Sequence, residues 1–144
     1  MSTLLVNDIF HVHTYRCKHA GYDPDEAYVE KAIDLGARSL TFTDHAPFPG
    51  DPFDSRMEIS QLPEYLDSLI SLREKYKTHI RIGIGLEIEY IPGFEDYYRE
   101  LYENEKLDFM MLGQHFSGIK TETTVSIING PSCCVTNRRC LVKR

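Results

Sequence analysis

The stretch LLVNDIFHVH, residues 4–13, decides how the rest of the chain is interpreted. Leu4–Val12 is apolar enough to form a buried strand, and the stretch ends in two closely spaced histidines. Residues 23–26, DPDE, then have the composition of a helix start: the first aspartate suits the N-cap, the proline the first turn, and the glutamate a capping box. Because Gly36 suits the C′ position of the same helix, the sequence predicts a strand followed by a helix.

The same alternation continues along the chain. The further predicted elements are strands at 39–43, 80–88 and 107–113, a loop with three prolines at 46–59, a helix from residue 60 and a shorter helix at 94–101. Four strands separated by three helices indicate βα units and a parallel sheet. We therefore predict an α/β fold, and the length of 144 residues allows one domain at most.

The composition restricts the classes of partner. A formal net charge of −6 disfavours binding to a nucleic-acid backbone, although it does not disfavour a small phosphate held at metal ions. No apolar run approaches the ~20 residues that a membrane span needs. The first ten residues lack basic side chains and include Asp8, which is not typical of a signal peptide. We therefore expect a cytoplasmic protein without nucleic-acid or membrane partners.

The segment after residue 115 differs in charge from the segment before it. Residues 1–115 carry 21 acidic and 11 basic side chains, whereas residues 116–144 carry one acidic and five basic ones. Three of the four cysteines, Cys133, Cys134 and Cys140, also lie there. Their spacing is not the paired C-x-x-C of a zinc knuckle, and disulfides are not expected in a reducing compartment. This segment is therefore interpreted as unlike the rest.

Metal-competent side chains recur at the predicted carboxyl ends of the strands. They are His11 and His13 at the end of the first strand, His19 in the loop beyond it, His45 after the second, Glu87 near the end of the third and His115 after the fourth. His11 and His13, two residues apart, are expected to point to the same face. Because parallel strands end at one edge of a sheet, the six side chains are expected to meet there.

The residue types of this set suit a cluster of metals. Imidazole and carboxylate are ligands for zinc, manganese or iron. Glu87 is the single acid among the histidines, and a carboxylate can bridge two ions, so Glu87 is the candidate bridge. A site of two or three divalent ions would suit phosphoryl transfer.

Each candidate also has an ordinary alternative. A single histidine at a strand end is commonly a hydrogen-bonded surface or core residue, and an H-x-H pair occurs by chance. Recurrence at every strand end is what favours a metal site. His79 precedes its strand, so it is expected at the opposite rim as a surface residue. Asp44 is either a partner that orients a metal ligand or a turn residue.

Two arginines have two interpretations each. Arg16, in the loop after the first strand, offers a planar fork of donors for a substrate phosphate, or is a solvated loop residue. Arg56, in the proline-rich loop, has the same alternatives. Glu89 and Tyr90 either line a pocket next to Glu87 or belong to the scaffold.

Five motifs resemble those of the PHP family, named for polymerases and histidinol phosphatases, in the version found in histidinol-phosphate phosphatases. They are HVHTYRCKHA (11–20), TDHAPFP (43–49), Arg56-Met57 with Glu64-Tyr65, GLEIEY (85–90) and GQHF (113–116). The motifs are long and stand in the family's order. The resemblance spans roughly residues 5–118.

The resemblance implies a distorted (βα)7 barrel, a TIM-like fold of which about four βα units are present, with up to three metals at its C-terminal rim. The implied ligand groups are His11 with His13 and Glu87, Glu87 with His115, and His19 with His45. The implied reaction is hydrolysis of L-histidinol phosphate to L-histidinol and phosphate in histidine biosynthesis, with Arg16 neutralising phosphate oxygens of this small phosphorylated substrate.

The chain departs from the family after about residue 116. Family members need a later histidine and a C-terminal D-x-H motif and are nearly twice as long, and no D-x-H occurs in this sequence. The simplest hypothesis is a truncated product whose end is out of frame or substituted. We accordingly assign residues 1–118 to a partial PHP domain and 119–144 to an atypical basic tail. Four parallel strands without their closing strands are expected to leave an open barrel edge, through which the chain could self-associate.

Two other functions stay open. The same metals would serve a PHP phosphoesterase that acts on nucleotides or other phosphomonoesters. A chain without the later ligands could instead be a non-catalytic remnant. Metal stoichiometry separates the enzymes from the remnant, whereas the ligand types do not select among zinc, manganese and iron.

Overall fold

The computed structural model describes residues 8–50, 53 and 55–113 in full, and the backbone of three later strands. The helices and strands are Asp8–Val12 (β1), Asp25–Asp34 (α1), Ser39–His45 (β2), Leu62–Tyr76 (α2), Arg81–Ile88 (β3), Glu95–Glu103 (α3), Phe109–Leu112 (β4), Phe116–Thr121 (β5), Thr124–Asn129 (β6) and Cys140–Val142 (β7). A 3₁₀ turn, Ile59–Gln61, precedes α2. Among the described helices, none is long and apolar enough to cross a membrane.

The first four strands form a parallel sheet in chain order, β1-β2-β3-β4. The register between β2 and β3 sets His45 opposite Glu87 at the carboxyl edge. Helices α1, α2 and α3 follow β1, β2 and β3 in the sequence, as βα units require. The prediction of an α/β fold with a four-stranded parallel sheet is confirmed.

β4 is paired with a further short strand and is not itself the edge, and the described sheet has its two edges at β7 and β1. β7 pairs antiparallel with β4, with Met110 opposite Leu141. A short strand supplies the backbone partners that a missing parallel strand would have supplied. At the other end, the described sheet stops at β1. β5 and β6 pair separately as an antiparallel hairpin, and β5 spans the predicted domain boundary at residue 118, which stays a prediction.

The start of α1 differs from the prediction. The N-cap is Pro24 rather than Asp23, and no side chain caps the helix. The predicted capping box is therefore wrong. Asp25, whose side chain would otherwise be free to support the first turn, instead binds an arginine from the preceding loop. The predicted helix end is confirmed, because Gly36 has φ +73°, the left-handed conformation that glycine adopts at C′.

The hydrophobic core lies between the helices and one face of the sheet. Tyr65 and Leu69 of α2 are fully buried against Phe42 of β2 and Ile84 of β3. The hydroxyl of Tyr65 donates to the carbonyl of Gly85 at 2.7 Å, so the one polar group that α2 buries here is satisfied. This packing fixes β2 and β3, the two central strands, whose ends carry His45 and Glu87.

Candidate metal centre

A bulge in β1 brings two histidines to the same side. The register between β1 and β2 shifts between Ile9 and Val12, and His11 takes φ +71°. Ile9 and Val12 both pack against the core although they are three residues apart, which strict alternation along a strand does not allow. The extra residue leaves His11 and His13 facing Glu87 together. The two histidines share a face as expected, but through a bulge instead of regular alternation.

Glu87 is the carboxylate around which the histidines gather. Its Oε2 lies 2.8 Å from Nε2 of His11, 3.3 Å from Nε2 of His13 and 3.7 Å from Nδ1 of His45. Glu87 is only 3% exposed. A carboxylate buried to this degree is costly unless positive charge compensates it, and an imidazolium or a bound cation would supply that charge.

A second group of three imidazoles adjoins the first. The ring centroids of His13 and His45 are 4.7 Å apart, and His19 lies 5.1 Å from each of them. The donor atoms of these three side chains lie within 4.8 Å of one another, as do those of His11, His13 and Glu87. His13 belongs to both groups. The structure therefore brings together five of the six side chains that the sequence singled out.

The sixth, His115, lies outside the residues that the structure describes. Its predicted role as a ligand shared with Glu87 stays a prediction. His79 is exposed in the turn before β3, at the end of that strand opposite to Glu87. It is thus a histidine of the same chain that takes no part in the cluster.

Gly113, just after β4, leaves the space that Glu87 occupies. A Cβ at this position would lie 2.0 Å from Oε1 of Glu87 and 2.7 Å from its Cδ. No side chain fits there without moving the carboxylate. Gly113 is the first residue of the GQHF motif, so this motif contributes the space for the Glu87 carboxylate as well as a candidate ligand.

Asp44 and Cys17 are buried next to His13. Asp44 is fully buried and accepts hydrogen bonds from the backbone N–H of Thr14, at 2.5 Å, and from the Thr14 hydroxyl. Burial raises the pKa of Asp44 to about 6 against the opposing effect of these hydrogen bonds. Asp44 is therefore an anchor for the loop after β1 and not a simple turn residue.

Cys17 was not singled out by the sequence argument. Its Sγ accepts a hydrogen bond from the backbone N–H of His45 at 3.0 Å, and Sγ and one donor atom each of His13 and Asp44 lie within 4.8 Å of one another. Burial raises the pKa of the Cys17 thiol, which favours the neutral form in the absence of a metal. The signal in the sequence is its place inside the motif at 11–20, between His13 and His19.

Arg16 is buried, and its side chain is 1% exposed. Its guanidinium forms two bidentate pairs, with Asp25 of α1 at 2.9 Å and with Glu64 of α2 at 2.7 Å. The interpretation as a solvated loop residue is wrong. The contact with a substrate phosphate stays a prediction, and it would require Arg16 to give up a hydrogen bond to a carboxylate or to the Thr14 hydroxyl.

Arg56 pairs with Glu89, which is adjacent to the cluster. Both side chains are buried, with 3.2 Å between Nη2 and Oε2, and the guanidinium lies over the ring of Phe53 at 4.5 Å. Burial lowers the pKa of Arg56. For Arg56, too, a solvated side chain is the wrong interpretation, and Glu89 faces the interior as its partner.

The donor set fits divalent transition metals. Neutral imidazole and carboxylate are the ligand types of zinc, manganese and iron sites. Nδ1 of His13 is buried and has no hydrogen-bond partner within the described part of the chain, which is costly for a polar atom unless it binds something. Asp44 and Thr14 hydrogen-bond to each other beside His13 and thereby anchor the loop that follows it.

Comparison with known proteins identifies the family. The model of the PHP domain matches residues 10–133, and the chain belongs to this family. The histidinol-phosphatase of Bacillus subtilis (strain 168) is 39% identical over 92 residues, which cover 60% of this chain and 34% of that protein. The match to the family model extends past residue 118.

Two solved structures share the fold. A Listeria monocytogenes protein, provisionally named a histidinol phosphatase, has a TM-score of 0.69 and 28% identity over 78% of this chain and 46% of that one. The histidinol phosphate phosphatase of Lactococcus lactis, complexed with zinc, L-histidinol and phosphate, has a TM-score of 0.64 and 24% identity over 76% of this chain and 40% of that one. The chain spans between 34% and 42% of the length of the curated relatives that it matches.

Proposed function

We propose that this chain supplies a metal-binding part of a phosphomonoesterase that hydrolyses L-histidinol phosphate to L-histidinol and phosphate. The observation that carries the proposal is the convergence of three imidazoles on one buried carboxylate at the carboxyl edge of a parallel sheet, with a fourth imidazole beside two of them. α/β enzymes place their sites at this edge. The ordinary alternative, unrelated histidines that each satisfy a local hydrogen bond, does not explain a shared cluster.

Each residue of the cluster has a distinct proposed task. His11, His13 and Glu87 would hold one cation. The group of His13, His19 and His45 would hold a second. Divalent metals bound here would lower the pKa of water and neutralise phosphate oxygens. A cation held there would add positive charge beside the buried Glu87 carboxylate. A third ion would depend on His115, so two or three ions per chain are proposed.

The names of the relatives support the choice of substrate. The curated relatives are named as histidinol-phosphatases or, in one case, as a probable one, and the Bacillus subtilis protein is 39% identical over 92 residues. The Lactococcus lactis neighbour holds zinc, L-histidinol and phosphate, but at 24% identity its likeness bears on the fold. L-Histidinol phosphate is therefore the first substrate to test, and a cytoplasmic role in histidine biosynthesis is part of the proposal.

The test is phosphate release from L-histidinol phosphate by the purified chain with zinc or manganese added. We expect turnover that a chelator removes and that Glu87→Gln lowers by about 100-fold or more, because a misplaced or missing ligand at a metal site costs this much. His79→Ala is the matched control, since His79 lies on the opposite rim. A chelator-resistant activity would contradict the proposal.

Three outcomes would redirect the proposal. Turnover of nucleotides or simple phosphomonoesters at equal or higher kcat/KM would favour a general PHP phosphoesterase. No turnover, together with less than one metal ion per chain, would favour a non-catalytic remnant. Tight metal binding without turnover would assign the metal centre to this chain and the activity to a longer protein.

A further inference from the structure

Arg16 uses every hydrogen-bond donor that it has. Its Nε donates to Glu64, one Nη to Asp25 and to the Thr14 hydroxyl, and the other Nη to Asp25 and to Glu64. A guanidinium has five N–H groups, and these five contacts, at 2.7–2.9 Å, engage all of them. No donor is left for a phosphate in this arrangement.

The contacts of Arg16 join separate parts of the chain. Asp25 begins α1, and Glu64 lies in the first turn of α2, 48 residues away from Arg16. Ser68, one turn further along α2, also donates to Asp25 at 2.6 Å. The loop that Arg16 occupies is thereby fixed against the N-terminal ends of both helices.

The same loop is fixed on its other side to the end of β2. Thr14, which accepts from Arg16, donates to Asp44 through its hydroxyl and through its backbone N–H. Cys17 accepts from the backbone N–H of His45. Two turns continue from these anchors. In the first, the backbone N–H of Cys17 donates to the carbonyl of Thr14, and in the second, the backbone N–H of Ala20 donates to the carbonyl of Cys17. They lead directly to His19.

His19 depends on this loop more than any other member of the cluster. His11 and His13 stand at the end of β1, and His45 and Glu87 are parts of β2 and β3. His19 is exposed and lies in a segment of irregular backbone between β1 and α1. Its position 5.1 Å from both His13 and His45 therefore requires that the loop be held from outside.

We propose that Arg16 is a positioning residue: by clamping the loop after β1 to both helices, it places His19 beside His45 and so forms the group of His13, His19 and His45. The inference rests on the proposed metal-binding function and deepens it. It also assigns Arg16 a role other than contact with the substrate.

The chemistry of the clamp explains why arginine is needed. A planar guanidinium can bind two carboxylates in a bidentate way, whereas the ammonium of lysine is a point charge with three donors. If Arg16 served only as a positive charge near a phosphate, lysine would keep part of its effect. If it serves as a clamp, lysine fails and a change at Glu64, far along the chain, has the same effect as a change at Arg16.

The test uses Arg16→Lys and Glu64→Gln, with Arg99→Lys as the control for an exposed arginine that pairs with Asp96. Stepwise zinc affinity is measured by competition with a chelator, and His19→Ala defines which step depends on His19. We expect both clamp variants to weaken that step by about 10–100-fold, the usual effect of a supporting residue. The zinc affinity of the step that depends on Glu87 should change by less than about threefold in the same variants.

A second readout needs no metal. In the metal-free chain, ring protons of His19 and His45 should show a nuclear Overhauser effect, as should those of His11 and His13, whose ring centroids are 4.8 Å apart. Arg16→Lys and Glu64→Gln should remove the first signal and keep the second. Signals that both persist would overturn the positioning role, whereas a wild-type chain that shows both signals but binds no zinc would overturn the proposed function alone.

Because Arg16→Lys can fail to fold, a second and milder variant is included in the experiment. Glu64 is half-exposed, so Glu64→Gln is the milder change and decides the matter if Arg16→Lys unfolds. A Glu64→Gln chain that is folded and keeps the His19-dependent zinc step at the wild-type affinity would refute the inference. A loss of thermal stability without a change in either readout would show that the clamp only joins the helices.

Discussion

Replacing Gly113 by alanine should disable the cluster through Glu87. The added methyl would lie 2.0 Å from Oε1, whereas ordinary van der Waals contact begins near 3.4 Å. The carboxylate must therefore move by about 1.4 Å, the difference between these two distances, unless β4 moves instead. A shift of this size takes Oε2 out of reach of His11, from which it is now 2.8 Å.

The expected loss of zinc affinity follows from the displacement of the Glu87 carboxylate. A displaced or missing supporting group lowers metal affinity by about 10–100-fold, and a misplacement of roughly 1 Å costs about 100-fold in rate. The same overpacking should lower the free energy of unfolding of the metal-free chain by about 1–3 kcal/mol. Zinc affinity is measured by competition with a chromophoric chelator, and stability by denaturant unfolding.

Gly36→Ala is the control that separates strain from displacement. Gly36 has φ +73° and open space around it, so alanine there should cost about 1–2 kcal/mol of stability without changing zinc affinity. The reasoning is refuted if Gly113→Ala binds zinc as tightly as the wild type. It is also refuted if Gly113→Ala lowers the affinity of a Glu87→Ala chain by the same factor, because the methyl would then act on something other than Glu87.

Three further predictions concern the scaffold. Tyr65→Phe removes the buried donor to the Gly85 carbonyl and should lower the free energy of unfolding by about 0.5–1.5 kcal/mol, seen as a lower thermal midpoint. Leu69→Ala, at a fully buried site of α2, should cost about 2–5 kcal/mol in urea unfolding, whereas Leu35→Ala at a half-exposed site should stay within about 1 kcal/mol. Glu89→Ala leaves the buried Arg56 without its carboxylate and should cost about 3–5 kcal/mol, against at most about 1 kcal/mol for Asp96→Ala at an exposed pair; equal costs would contradict the burial argument.

The helices and strands that depend mainly on local periodicity were predicted from the sequence. Strand and helix periodicity located all four parallel strands within a few residues of their observed ends, and the parallel arrangement followed from their alternation with helices. The approach of Glu87 to the histidines followed in turn, because strand ends meet at one edge. Local capping was harder: Glu26, the predicted capping-box residue, accepts hydrogen bonds from Lys75 and Tyr76 of α2, a choice that depends on tertiary contacts.

Features that depend on tertiary packing escaped the sequence argument. The bulge at His11 is visible only when Ile9 and Val12 are seen to share the core. The burial of Arg16 depends on Glu64, which is 48 residues away. No local pattern in the loop distinguishes a clamp from a phosphate ligand, because both use the same fork of donors.

The zinc content of the purified chain after equilibrium dialysis tests the central claim most directly. We predict two or more tightly held ions per wild-type chain, a lower number for Glu87→Gln, and no change for His79→Ala, because the first substitution removes the carboxylate shared by the histidines and the second lies on the opposite rim. Less than one ion per folded wild-type chain, or the same content in all three proteins, would contradict a metal centre built from these residues.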